Sequence, residues 1–168
     1  SLSNKGNYYS DGMIIKYNAA GEVEWAEGIG GRDSDEITSV SETSDGGYIV
    51  GGYFKSSSID LENGASLTNN SKSPGYSDGM IIKYSRSGEV EWAKSIGGRD
   101  NDRITSVAEC SDGGYIAGGY FYSSSIELGN EMSLSSKGSS DGMIIKYSSS
   151  GEIEWAKGIG GTDDFITS

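Results

Sequence analysis

A chain of 168 residues with a formal net charge of −12, no histidine and one cysteine excludes several classes of protein. Nucleic acid and anionic membrane surfaces need a clustered basic face, which this chain lacks. Ser-His-Asp and Cys-His nucleophile systems lack their base, transition metals lack their commonest ligand, and a lone cysteine closes no intrachain disulfide.

The elements recur in tandem. SDGMIIKY stands at Ser10–Tyr17, Ser77–Tyr84 and Ser140–Tyr147, a period of about 65 residues, and Ser10–Asp60 matches Ser77–Glu127 without a gap at about 39 of 51 positions. One unit is too small for a domain, so copies must bury their apolar faces against one another. Hydrophobic content is only 34% and glycines number 27, but the aromatics return at fixed places, which disorder would not require.

MIIKY predicts a strand, introduced by Asp-Gly at Asp11-Gly12, Asp78-Gly79 and Asp141-Gly142. A polar turn ending in Gly21, Gly88 or Gly151 follows. EVEWA or EIEWA (Glu22–Ala26, Glu89–Ala93, Glu152–Ala156) alternates apolar and carboxylate side chains, as a half-buried strand does. GIGG or SIGG and an acidic turn close the run. ITSVSE and ITSVAE (Ile37–Glu42, Ile104–Glu109) predict the next strand. SDGG then predicts a hairpin of type I′, which needs positive φ at both central positions. YIVGGYF and YIAGGYF (Tyr48–Phe54, Tyr115–Phe121) predict its second strand, with a glycine pair marking close backbone approach. An insertion rich in Ser, Asn and Gly (residues 56–76 in the first full copy) varies in length between copies and predicts a loop or small exposed hairpin.

No helical periodicity spans ten residues, and the longest apolar runs are far short of the ~20 residues that cross a bilayer. The expected fold is all-β: consecutive four-stranded blades of a β-propeller. The expected divisions are a partial blade at 1–36, blades at 37–98 and 99–161, and the start of another at 162–168. A full ring needs more blades, so the chain reads as a fragment of a larger ring, completed by further blades of a parent chain or by other copies. With no initiator Met and a start inside a repeat, it also reads as part of a longer protein.

The acidic turn supplies the candidate metal ligands: Asp33, Asp35, Asp100, Asp102, Asp163 and Asp164, whose spacing can present hard oxygens to calcium. The competing reading is turn hydrogen bonding of the Asx type. Trp25, Trp92 and Trp155 sit opposite the Glu positions and are expected to pack between copies rather than stack on sugar. Tyr48, Tyr53, Tyr115 and Tyr120 are expected to be exposed in part. With Asn63, Asn69, Asn70 and Asn130 they are the expected ligand contacts. Lys16, Lys83 and Lys146 end the MIIKY strand and are expected at a solvated edge or beside the neighbouring Glu. Cys110 has Thr43 as its counterpart and is expected to be a filler. No cofactor other than calcium is indicated. Most carboxylates are repeated copies, whereas a glycosidase acid and base would be two unique residues.

YNAAGEVEW, YSRSGEVEW and YSSSGEIEW resemble the Gly-x-x-x-Trp feature of quinoprotein-type propeller blades. In those blades the Trp docks between neighbours and the Gly permits the turn. SDGGYIVGGYF with DGMIIKY is similar to tandem repeats in surface and secreted bacterial proteins, including large surface proteins of Gram-positive anaerobes. The resemblance implies a non-catalytic scaffold or adhesion module, extracellular or on the cell surface, binding protein or glycan through its loops. The alternative it leaves open is a propeller domain of a secreted enzyme, a glycan-active hydrolase or a quinoprotein, with its catalytic residues elsewhere. The cofactor residues and vicinal Cys pair of quinoprotein dehydrogenases are missing, and so is the sialidase Asp-box.

Overall fold

The computed structural model describes residues 9–62, 64–71 and 73–161. All regular structure among them is β, in antiparallel sheets. Strands β3 (Asp35–Glu42), β4 (Tyr48–Phe54), β7 (Asp78–Tyr84) and β8 (Val90–Ile96) form one four-stranded sheet in the order β3-β4-β7-β8. Strands β9 (Asp102–Glu109), β10 (Tyr115–Phe121), β13 (Asp141–Tyr147) and β14 (Ile153–Ile159) form a second with the same order of equivalents. Strands β1 (Gly12–Tyr17) and β2 (Val23–Ile29) form a two-stranded sheet equivalent to the β7–β8 half. The described residues form no closed ring.

The hairpin chemistry differs from expectation. Gly46 has φ 80° and Gly113 φ 81°, while the aspartates before them are not left-handed. The Gly46 N–H donates to Thr43 O, and Thr43 N–H donates to Gly47 O. This is a turn followed by a single left-handed glycine, the three-residue hairpin with a bulge, and not type I′. Asp78-Gly79 and Asp141-Gly142 make no turn; they lie inside β7 and β13. Gly79 is small because β9 crosses it: a Cβ there would lie 3.1 Å from Ile104 Cγ1.

The core sits between sheets. Ile14 and Ile29 cluster with Val50, Met80 and Ile82, while Ile49 and Ile81 cluster with Ile104, Val107 and Tyr115. Successive residues of β7 therefore serve opposite clusters, so the strand is buried along its whole length.

The insertion is more than a loop. It carries the hairpins β5 (Ser58–Asp60) with β6 (Ser66–Thr68), and β11 (Ser125–Gly129) with β12 (Met132–Ser135). Ile59, Leu67 and Ile126 are fully buried and Leu134 nearly so. Each such side chain contributes roughly 1.5–3 kcal/mol of burial, so the insertion is part of the core and not simply an exposed decoration.

Candidate functional site: the repeated joint between sheets

Each joint is built from the same side chains. Trp25, on β2, stacks on Tyr84 with ring centroids 6.2 Å apart and meets Tyr48 edge-on at 5.6 Å. Its indole N–H donates to Arg86 O at 3.1 Å. Trp92, on β8, repeats this on Tyr147 (5.9 Å), Tyr115 (5.7 Å) and Ser149 O (3.2 Å). The indoles lie over Gly88 and Gly151, both left-handed and both buried. A β-carbon at Gly151 would come within 2.5 Å of Trp92. The equivalent Gly21 has open space around it, and Trp155 is 40% exposed.

Polar contacts continue the joint along the inner strands. Thr38 donates its hydroxyl to Ile104 O at 2.7 Å, and Val107 N–H donates to Ser39 Oγ at 3.2 Å. The Ser44 amide and hydroxyl both donate to the Glu109 carboxylate at 2.7 Å. The Arg103 guanidinium lies 4.0 Å from the Tyr53 ring centre. Asp102 N–H donates to Ser77 O at 2.7 Å, as Asp35 N–H does to Ser10 O at 2.8 Å.

The acidic turn is an internal latch. Gly31 N–H and the Ser56 hydroxyl donate to Asp35 Oδ2 at 2.8 and 2.7 Å. The Lys55 and Ser56 amides donate to Oδ1 at 3.0 and 3.1 Å. Asp102 has the same four kinds of partner in Gly98, Ser123 and Tyr122. Burial raises the pKa of both aspartates against the pull of these donors. The acceptor sites of each carboxylate are thereby filled from within the chain. Asp33 and Asp100 contribute their backbone N–H groups to Ser56 and Ser123 Oγ. Asp163 and Asp164 lie outside the described residues, as does Asn63. Among the described residues no three of His, Cys, Asp or Glu converge as metal ligands.

Sequence reasoning missed two features. Lys83 and Lys146 are buried, not solvated. Lys83 Nζ reaches Asp45 at 2.9 Å, Glu91 at 3.1 Å and Tyr84 O at 3.0 Å; Lys146 does the same with Asp112, Glu154 and Tyr147 O. Each lysine ties a hairpin turn to the outer strand, and the neighbouring Glu was the legible half of that arrangement. The second feature is Asp78, wholly buried, whose Oδ2 accepts Asn70 N–H at 2.7 Å while Oδ1 has no partner. Burial pushes its pKa up to about 6, with the nearby Asp102 adding to the rise.

Of the tyrosines, Tyr115 is buried, and Tyr48, Tyr53 and Tyr120 are half-buried at the joints. Among the described residues the exposed ones are Tyr9, Tyr17, Tyr76 and Tyr122. Asn69 is consumed by its own loop, donating to Phe54 O and Tyr76 O at 3.1 Å. Two open clefts lie beside these elements. One, of about 400 Å³, is lined by Gly31, Arg32, Ser57, Ser58 and Asp60; the other, about 540 Å³, by Lys16, Glu24, Trp25, Arg86 and Ser87.

The fold and its joints define an all-β protein of packed antiparallel sheets carrying a repeated sequence. No protein-family profile matches the chain. It is similar to the regulatory protein FlaEY of Caulobacter vibrioides, at 28% identity over 110 residues. That match covers 66% of this chain and 11% of the relative, so the chain spans about a tenth of the length of the protein it resembles.

Proposed function

We propose that the chain is a run of β-propeller blades serving as a non-catalytic scaffold or adhesion module of a secreted or surface-displayed bacterial protein. The connectivity supports the blade reading. The outer strand β8 leads straight into β9, the first strand of the next sheet, and Trp92 of that outer strand docks on the sheet it leads into. Blades around an axis are linked in this way.

One observation carries the non-catalytic reading: the chemically capable side chains that recur are used up by the fold. Asp35 and Asp102 hold backbone donors, Lys83 and Lys146 strap turns, and Trp25 and Trp92 fill joints. The insertions, by contrast, differ in length and residues between copies, and the cleft beside the first of them is lined by Arg32, Ser57 and Asp60. Loops on a rigid frame are where binding concentrates. A protein or glycan ligand is the partner this surface suits.

The test is a glycan array and a surface-protein pull-down with the intact chain, repeated with Arg32→Ala and Asp60→Ala. Saturable binding weakened by these changes supports the module. Failure to bind any ligand in either format, or turnover of an arrayed glycan, overturns it.

A further inference from the structure

The two-stranded sheet β1–β2 offers one strand edge that its equivalents do not. β7 pairs with β8 on one side and β4 on the other, and β13 pairs with β14 and β10; among the described residues β1 pairs with β2 alone. Three side chains of β1 register the difference. Met13 is 64% exposed and Tyr17 56%, whereas Met80, Met143, Tyr84 and Tyr147 are at most 1% exposed. Lys16 bonds Glu24 at 3.1 Å, as Lys83 bonds Glu91, but the equivalents of Lys16 also hold a turn aspartate of the adjoining hairpin, Asp45 or Asp112.

We propose that this edge of β1 is a strand-addition site whose occupant is a β-hairpin of the kind the chain carries at residues 35–54 and 102–121. Strand addition to a sheet edge takes affinity from main-chain hydrogen bonds and specificity from alternate side chains. The expected register follows β4 on β7, where Tyr48 faces Tyr84, Gly52 faces Met80 and Phe54 faces Asp78. The incoming strand therefore places a glycine opposite Met13. A glycine is required because a Cβ on Gly52 would lie 2.9 Å from Met80 Cε and closer still to Glu36 O. The Asp of the hairpin turn meets the Lys16 ammonium, which supplies the charge complement. The inference stands on pairing geometry and holds whether or not the sheets close into a ring.

The probe is a synthetic peptide of residues 35–54, titrated into the whole chain and followed by amide hydrogen exchange. The expected result is saturable 1:1 binding with slowed exchange in β1. A Gly52→Val peptide should lose binding, and Lys16→Ala in the chain should weaken it about 3-fold, within the range of a partly exposed ion pair. Absence of binding, slowed exchange at β3, β8 or β14 in place of β1, or equal binding of the Gly52→Val peptide would overturn the proposal. A second protein, with residues 102–132 carrying Cys110→Thr fused ahead of Ser1, removes dependence on peptide solubility. Slowed exchange in β1 and a Tm raised by about 5 °C are expected. A fusion whose β1 exchanges as fast as in the unfused chain counts against the site.

Discussion

The Trp25 indole lies over Gly88 with its ring-fusion carbon nearest, so that a β-carbon on the glycine would stand 2.8 Å from Trp25 Cδ2. One glycine thus serves two ends: it takes φ 89° in the β7–β8 turn, and it makes room for the neighbouring sheet's tryptophan.

Gly88→Ala is expected to cost about 2–4 kcal/mol, from left-handed strain of roughly 1–2 kcal/mol and displacement of the indole. Gly21→Ala is the control. It has φ 80° but nothing within 4 Å, so only the strain of roughly 1–2 kcal/mol applies. Urea midpoints of the two variants measure the difference. Equal losses would remove the packing half of the argument.

Trp92→Ala should uncouple the two four-stranded sheets, costing about 3–5 kcal/mol as large aromatic truncations do. Trp155→Ala should cost well under half of that, because Trp155 is 40% exposed and the indole of Trp92 is half-buried on Tyr147 and Tyr115. Chemical denaturation followed by tryptophan fluorescence separates the two.

The pH dependence has two opposing parts. Asp78 is raised from 3.8 to about 6, so its contribution is full below pH 3.8 and is lost as the pH rises through 6. Asp45 is lowered to about 2 by the Thr43 hydroxyl, then by Lys83 and the Gly47 amide. Its contribution is present above pH 3.8 and is lost as the pH falls through 2. Stability should therefore peak between about pH 4 and 5. Asp78→Asn should raise Tm at pH 7 and flatten the decline between pH 4 and 7. A Tm that climbs steadily from pH 4 to 7 in the unaltered chain would contradict this.

Ser56→Ala removes a donor to Asp35 and the acceptor for Asp33 N–H. Leaving a buried carboxylate short of one partner costs about 1–3 kcal/mol, and Ser123→Ala should cost the same at Asp102. Because the Asp35 and Asp102 carboxylates are already occupied, millimolar calcium or a chelator should leave Tm unchanged. A calcium-dependent rise abolished by Asp35→Asn would show that the latch gives way to a metal.

Much of this architecture was legible in the residues. Alternation in EVEWA, the β-branched run in MIIKY and the glycine-closed turns located the strands, because period-2 patterning and φ > 0 are local demands. The burial of Lys83 was not legible. A lysine at a strand end is ordinarily solvated, and only the turn of a different hairpin, folded beside it, supplies Asp45. A small hairpin within the insertion was among the forms expected, but its burial was not legible for a similar reason. Ile59 and Leu67 are isolated apolar residues in a polar stretch, and what buries them is the neighbouring sheet.

The sequence by itself determined that the protein is all-β, repeats about every 65 residues and lacks histidine chemistry, since strand periodicity, turn glycines and composition are properties of the chain alone. Only the tertiary structure decided which repeated polar side chains are spent on the fold. Asp35, Asp102, Lys83 and Lys146 look reactive in one dimension, and become structural when backbone donors and carboxylates from segments some 20 to 40 residues away converge on them. A buried charge is tolerated only where such partners meet it, and that meeting is a property of packing.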